Sequence, residues 1–143
     1  MVLIGITHTD TKEVADYFKG QIPQMENSVF EANEILINAA YESSLDQVKD
    51  KGFKIVKGRV ATGDIFISSK ELKEELENDF KAYCGEMEGG AIAHACYLNN
   101  IPFVIIRAMS DKADGSADVT YDEFVVEAAE NSKDIVLKML RAL

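Results

Sequence analysis

Two short runs of uninterrupted apolar residues, VLIGI from Val2 to Ile6 and IPFVII from Ile101 to Ile106, constrain this chain more than any other feature. A strand with one wet face alternates apolar and polar residues, so a continuous run marks a strand buried on both faces. Both runs fall far short of the ~20 residues that a membrane-spanning helix needs. They belong inside a sheet that is covered on each side, and the second extends as an expected strand from Pro102 to Met109.

The covering layers are legible between the runs. From Glu31 to Lys49, residues Ile35, Leu36, Ala39, Ala40, Leu45 and Val48 recur at helical spacing, with Gly52 as the stop. Phe53 to Ala61 (FKIVKGRVA) then alternates with period two, which predicts a strand leaving at Gly63 and Asp64. Ser68 and Glu71 fit a capping box ahead of KELKEELENDF, whose charges read as a solvated helix face. Met87 to Leu98 reads as a helix rich in small residues, and Thr120 with Glu123 as a second capping box. The helix it opens runs to Leu143 and spaces Phe124, Ala128, Ile135, Val136, Met139 and Leu140 along one face. Thr7 to Gln24 breaks every pattern and is expected to be a functional or partner-bound loop with at most a turn of helix.

Strands alternating with helices give an α/β sheet under helical layers. No repeat, low-complexity tract or linker divides the 143 residues, which suit one domain burying roughly 68–70% of its unfolded surface. With 25 acidic against 15 basic side chains the net charge is −10, which disfavours nucleic acid and anionic membranes as partners. Cys84 and Cys96 form no CxxC or secretory pattern, and no basic-then-apolar leader opens the sequence. A reduced, cytoplasmic protein is expected.

Ligands of open α/β sheets bind beyond the carboxyl ends of the strands. Asp111 follows IPFVIIRAM directly and so falls at such a rim, either as a desolvated proton donor or as a cap of the next turn. Glu86 and Glu88 precede a helix whose dipole favours negative charge, which by itself accounts for them. Gly89 and Gly90 let the backbone approach either a neighbouring strand or a ligand. His94 reads as a satisfied core or interface histidine, because no HxxxH or Cys/His spacing offers it to zinc. TGD at Thr62 to Asp64 is too short for a phosphate loop, and neither GxGxxG, GxxxxGK[ST] nor GxSxG is present. No cofactor and no metal are expected.

VATGDIFIS, GEMEGGAIAHACYLNNIPFVIIRAMSDKAD and YDEF, in this order and spacing, resemble the carboxyl-terminal part of the methylthioadenosine/S-adenosylhomocysteine nucleosidases. The likeness is dense from Gly58 to Ala129, and GQIPQM extends it back to about Tyr17. It implies an α/β three-layer sandwich of the nucleoside phosphorylase type, lacking its amino-terminal strands, so that residues 1–143 form a single partial nucleosidase domain. It also implies hydrolysis of the N-glycosidic bond of a 5′-thio-substituted adenosine, giving adenine and a thioribose sugar.

Under the resemblance Asp111 is the catalytic acid at adenine N7, and Glu88 holds the ribose 2′ and 3′ hydroxyls, where an anion also favours an oxocarbenium-like transition state. Met87 packs on the ribose, Phe66 stacks on adenine, and Ile67 binds adenine through its main chain. Glu86 lies near the nucleophilic water, Ser110 bonds Asp111 or the base, and Tyr121 covers the sugar and alkylthio end. Asp rather than Asn at position 111 favours a 6-aminopurine. Family members are longer, and the glutamate that activates water precedes the matching region, so a partial or reassembling site is expected. The family's dimers close the pocket with a partner loop, into which Tyr17 and Pro23 fall, so a homodimer is expected. Methionine salvage and adenosylhomocysteine removal are the implied pathways. A phosphorylase that requires phosphate, and a non-catalytic remnant that binds adenine nucleosides or itself, are the alternatives.

Overall fold

A computed structural model of the chain describes residues 2–7, 20–22, 24–51, 54–109 and 121–143. Four strands, β1 (Val2–Thr7), β2 (Arg59–Thr62), β3 (Ala82–Glu86) and β4 (Ile105–Ile106), lie in the order β3-β2-β1-β4. β2 runs parallel to both β1 and β3, and β4 is antiparallel to β1. Four helices complete the described chain: α1 (Glu34–Lys51), α2 (Lys70–Phe80), α3 (Gly89–Leu98) and α4 (Tyr121–Ala142). The expected α/β alternation is observed, and none of the described helices is long and apolar enough to cross a membrane.

β2 organises the core. Val60 and Ala61 are successive strand residues and so point to opposite faces. Ala61 packs with Leu76 and Phe80 of α2, and Val60 packs with Cys84, Ile105 and Phe103. Phe103 in turn reaches Ala93 of α3, Ile22 and Phe30, so helices cover the sheet on both sides. A further cluster joins Ala40 of α1 to Met139 of α4, with Val104 and Ile106 beneath, and Lys138 reaches Asp46 at 3.1 Å across the same pair of helices.

Several boundaries differ from those expected, each for a local reason. α1 starts at Glu34 rather than Glu31, because the Asn33 side chain accepts the amides of Ile35 and Leu36 as a cap. β2 spans Arg59–Thr62; residues 54–58 of the expected strand lie before it, and Phe53 is outside the described residues. Within the paired segment Val60, Ala61 and Thr62 are buried in succession, as a strand between two parallel neighbours requires, while Arg59 is exposed and an irregularity in the pairing with β3 sits beside it. The cap of α2 is Ser69, whose hydroxyl accepts the Leu72 amide at 3.1 Å; the expected box on Ser68 is displaced by one residue. β4 is shorter than Pro102–Met109 because Phe103 gives its carbonyl to the Asn33 amide at 2.8 Å, tying that half of the run to the start of α1. β3 carries no expectation from sequence, and α3 begins at Gly89 rather than Met87. The capping pair's Thr120, the stop at Gly52 and most of the expected loop from Thr7 to Gln24 lie outside the described residues.

Candidate active site at the ends of strands β2 and β3

β2 and β3 end together, Thr62 standing opposite Glu86 in the parallel register. The Gly63 amide bonds the Glu86 carbonyl at 3.1 Å and carries the pairing one residue further. The chain then leaves β2 through residues 63–69 and leaves β3 through Met87 and Glu88 alone, so the two exits are neighbours at one edge of the sheet.

The Glu86 side chain is 4% exposed. A carboxylate so far from water requires donors on both oxygens. Oε1 accepts the Thr62 hydroxyl, and Oε2 accepts the amides of Glu88 at 3.1 Å and Gly89 at 2.7 Å. Thr62 Oγ1 in turn accepts the Gly90 amide at 2.7 Å. The first amides of α3, which have no partner within the helix, are thereby satisfied by side chains from the two strand ends. The Glu86 carboxylate also occupies the space beside Gly89: a β-carbon there would lie 3.0 Å from its oxygen. Both glycines are buried, in keeping with close packing.

Arg107, the residue after β4, brings one guanidinium nitrogen to 3.3 Å from Glu86 and 2.9 Å from Glu88. One cation thus faces two carboxylates, one buried and one 64% exposed. Burial pushes the neighbouring Cys84 thiol up to about 12, the Glu86 carboxylate adding to the shift and Arg107 opposing it. Cys84 therefore stays a neutral packing group at physiological pH and not a nucleophile.

The residues singled out in the sequence fall in different places. Met87 and Glu88 form the bend before α3, both exposed, so the Glu88 carboxylate can accept paired hydroxyl donors and stabilise a nearby developing cation. Phe66 and Ile67 lie on the adjacent exit: Phe66 is 73% exposed, while Ile67 turns inward onto Ala61, Leu76 and Phe80. Its side chain covers Gly85, where a β-carbon would meet Ile67 Cδ1 at 1.9 Å. Tyr121 is the first residue of α4. Asp111, Ser110, Tyr17 and Pro23 lie outside the described residues; the described chain runs from Arg107 to Met109, two residues before Asp111. His94 is half-buried and stacks on Phe30 with ring centroids 5.2 Å apart.

Thr62 and Arg107 were not singled out in the sequence as site residues. The available signals were a polar residue closing the short apolar pair Val60-Ala61 and a lone cation interrupting the apolar run PFVIIRAM.

Comparisons with known proteins bear on this arrangement. The sequence model of the phosphorylase superfamily matches residues 2–141. A 5′-methylthioadenosine/S-adenosylhomocysteine nucleosidase of Halalkalibacterium halodurans is 40% identical over 131 residues, 91% of this chain and 54% of that protein. The crystal structure of the Neisseria meningitidis nucleosidase of the same name, in complex with methylthio-immucillin-A, superposes with a TM-score of 0.78 at 37% identity, over 99% of this chain and 62% of that one. The futalosine hydrolase of Helicobacter pylori gives a TM-score of 0.78 at 30% identity, over 99% and 60%. The chain spans less than two thirds of the length of these relatives. With the superfamily's sequence model matched over nearly its whole length and its fold shared with solved members, the chain belongs to the phosphorylase superfamily.

Proposed function

We propose that the chain acts in hydrolysis of the N-glycosidic bond of 5′-methylthioadenosine or S-adenosylhomocysteine, and that residues 1–143 supply the base and ribose side of the site as a partial nucleosidase domain. The observation that carries the reading is the EMEGG turn. It holds an exposed carboxylate, Glu88, at 2.9 Å from Arg107, at the end of a sheet shared with nucleosidases of this specificity. In the reaction the bond between C1′ and N9 breaks with its electron pair leaving on adenine, and water bonds to C1′ through its oxygen and sheds one proton to solvent, so that C1′ ends with a hydroxyl. Asp111 donates a hydrogen bond to adenine N7 and passes its proton there as the bond breaks, so the base departs neutral and the carboxylate left behind regains a proton from solvent. Glu88 accepts the 2′ and 3′ hydroxyls and opposes the positive charge that grows on the ribose. Phe66 stacks on the base, Ile67 meets it through main-chain atoms, and Met87 packs on the sugar. Glu86 lies near the attacking water, Ser110 bonds Asp111 or the base, and Tyr121 covers the alkylthio end.

The test is adenine release from methylthioadenosine by the purified chain, with and without phosphate, beside Asp111→Asn. Release without phosphate, reduced about 10²–10⁴-fold in the variant, is expected. An unaffected variant would sink the assignment of Asp111, and a requirement for phosphate would make the chain a phosphorylase. Binding of a substrate analogue without turnover would leave a binding remnant. The likeness to a futalosine hydrolase favours one further arm, with futalosine as the substrate.

The reading extends to a cytoplasmic homodimer in methionine salvage and adenosylhomocysteine removal, with Tyr17 and Pro23 on the loop that closes a partner's pocket. Light scattering on a size-exclusion column is expected to return a dimer mass, and a clean monomer would count against it.

A further inference from the structure

TGD, which fits no phosphate loop, contains the residue that ties the site together. We propose that Thr62 is a positioning residue for the ribose-holding carboxylate, its hydroxyl fixing Glu86 and the first turn of α3 and through them the bend that presents Glu88. This rests on the reading of Glu88 as the ribose ligand.

Thr62 is buried, and both functions of its hydroxyl are used: it donates to Glu86 Oε1 and accepts the Gly90 amide at 2.7 Å. Glu86 then accepts the Glu88 amide, which makes the path from the end of β2 to the backbone of Glu88 two hydrogen bonds long. Arg107 holds the Glu88 carboxylate from the other side at 2.9 Å. Backbone and side chain of Glu88 are therefore fixed separately, the first by Thr62 through Glu86 and the second by Arg107. A residue needed only to fill the strand would not require a hydroxyl there, since valine has nearly the same shape and suits a strand as well. Valine would leave the Gly90 amide without its acceptor and one Glu86 oxygen without its donor inside the protein, whereas serine would keep both bonds.

The experiment compares the chain with Thr62→Val and Thr62→Ser by two readouts. The first is amide hydrogen exchange at Gly89 and Gly90. Thr62→Val is expected to accelerate exchange at these two positions while α1 and α4 keep their protection, and Thr62→Ser to restore it. The second is KM, with kcat measured separately, for methylthioadenosine and its 2′,3′-dideoxy analogue, or Kd where neither turns over. Thr62→Val is expected to lower the preference for the diol on the order of 10-fold, through KM for methylthioadenosine alone. Thr62→Ser should keep the preference. If the wild-type chain prefers the diol and Thr62→Val retains that preference, or weakens both ligands equally, the proposal is overturned while the reading of Glu88 stands. A wild-type chain indifferent to the hydroxyls overturns the reading of Glu88 and the proposal with it.

Discussion

Residues 63–69, which leave β2, and Met87 with Glu88, which leave β3, start side by side and are held by opposite kinds of interaction. The first exit is hydrogen-bonded only at its ends, by Gly63 to the Glu86 carbonyl and by Ser69 as the cap of α2; between them it is pinned by an apolar side chain, Ile67, lodged over Gly85 and against Leu76 and Phe80, while Phe66 beside it stands in solvent. The second is tied at almost every atom: Glu86 takes two amides and the Thr62 hydroxyl, Thr62 takes a third amide, and Arg107 spans both carboxylates. Apolar anchoring is non-directional and tolerates small rotations, whereas hydrogen bonds to a buried carboxylate fix angles as well as distances. Under the proposed function the first exit would carry the base, and the second, whose acceptor is fixed in direction, the vicinal hydroxyls of the ribose.

The sharpest way to break the comparison is Glu86→Gln. The amide keeps the shape, yet its nitrogen is a donor and must face either the Gly89 amide or the Thr62 hydroxyl, both of which donate to the carboxylate. Arg107 also loses its buried partner, though it keeps Glu88. A loss of about 2–3 kcal/mol is expected, seen as a lower urea midpoint at unchanged slope. Arg107 is more than a third exposed, so its own share of that loss is the smaller one. A variant as stable as the wild type would show that the second exit is held by packing after all.

This asymmetry also governs what could be read from sequence. Apolar anchoring leaves a pattern, and the helices it organises were legible from the spacing of residues such as Ala40, Ile135 and Met139. Polar anchoring hides its own strand. β3 reads AYCGE, with Tyr83 exposed on an edge strand and Glu86 buried, which reverses the usual sense of the pattern, so no alternation announces it. The chemistry of the EMEGG turn was visible as two glutamates against two glycines. That one of them is spent inside the protein depends on Thr62, 24 residues away, and on Arg107 beyond it. The shortening of β4 is likewise a tertiary effect, set by the bond between Phe103 and Asn33.

A smaller effect sharpens the contrast within the first exit. Ile67 is partly buried against Ala61, Leu76 and Phe80, so Ile67→Ala should cost about 1–2 kcal/mol, below the range for a fully buried isoleucine because part of its surface is already wet. Phe66→Ala next door should change stability by no more than about 0.5 kcal/mol, since nearly three quarters of the residue faces solvent. The order must invert for ligand. If Phe66 is the surface on which adenine stacks, its loss should weaken an adenine nucleoside about tenfold. Ile67→Ala should then act on the nucleoside only as far as the backbone of the loop shifts. Urea unfolding and nucleoside titration of the same two variants decide the matter: a Phe66→Ala chain with unaltered affinity would leave its exposed ring without a base to hold, and would move the adenine site away from the β2 exit altogether.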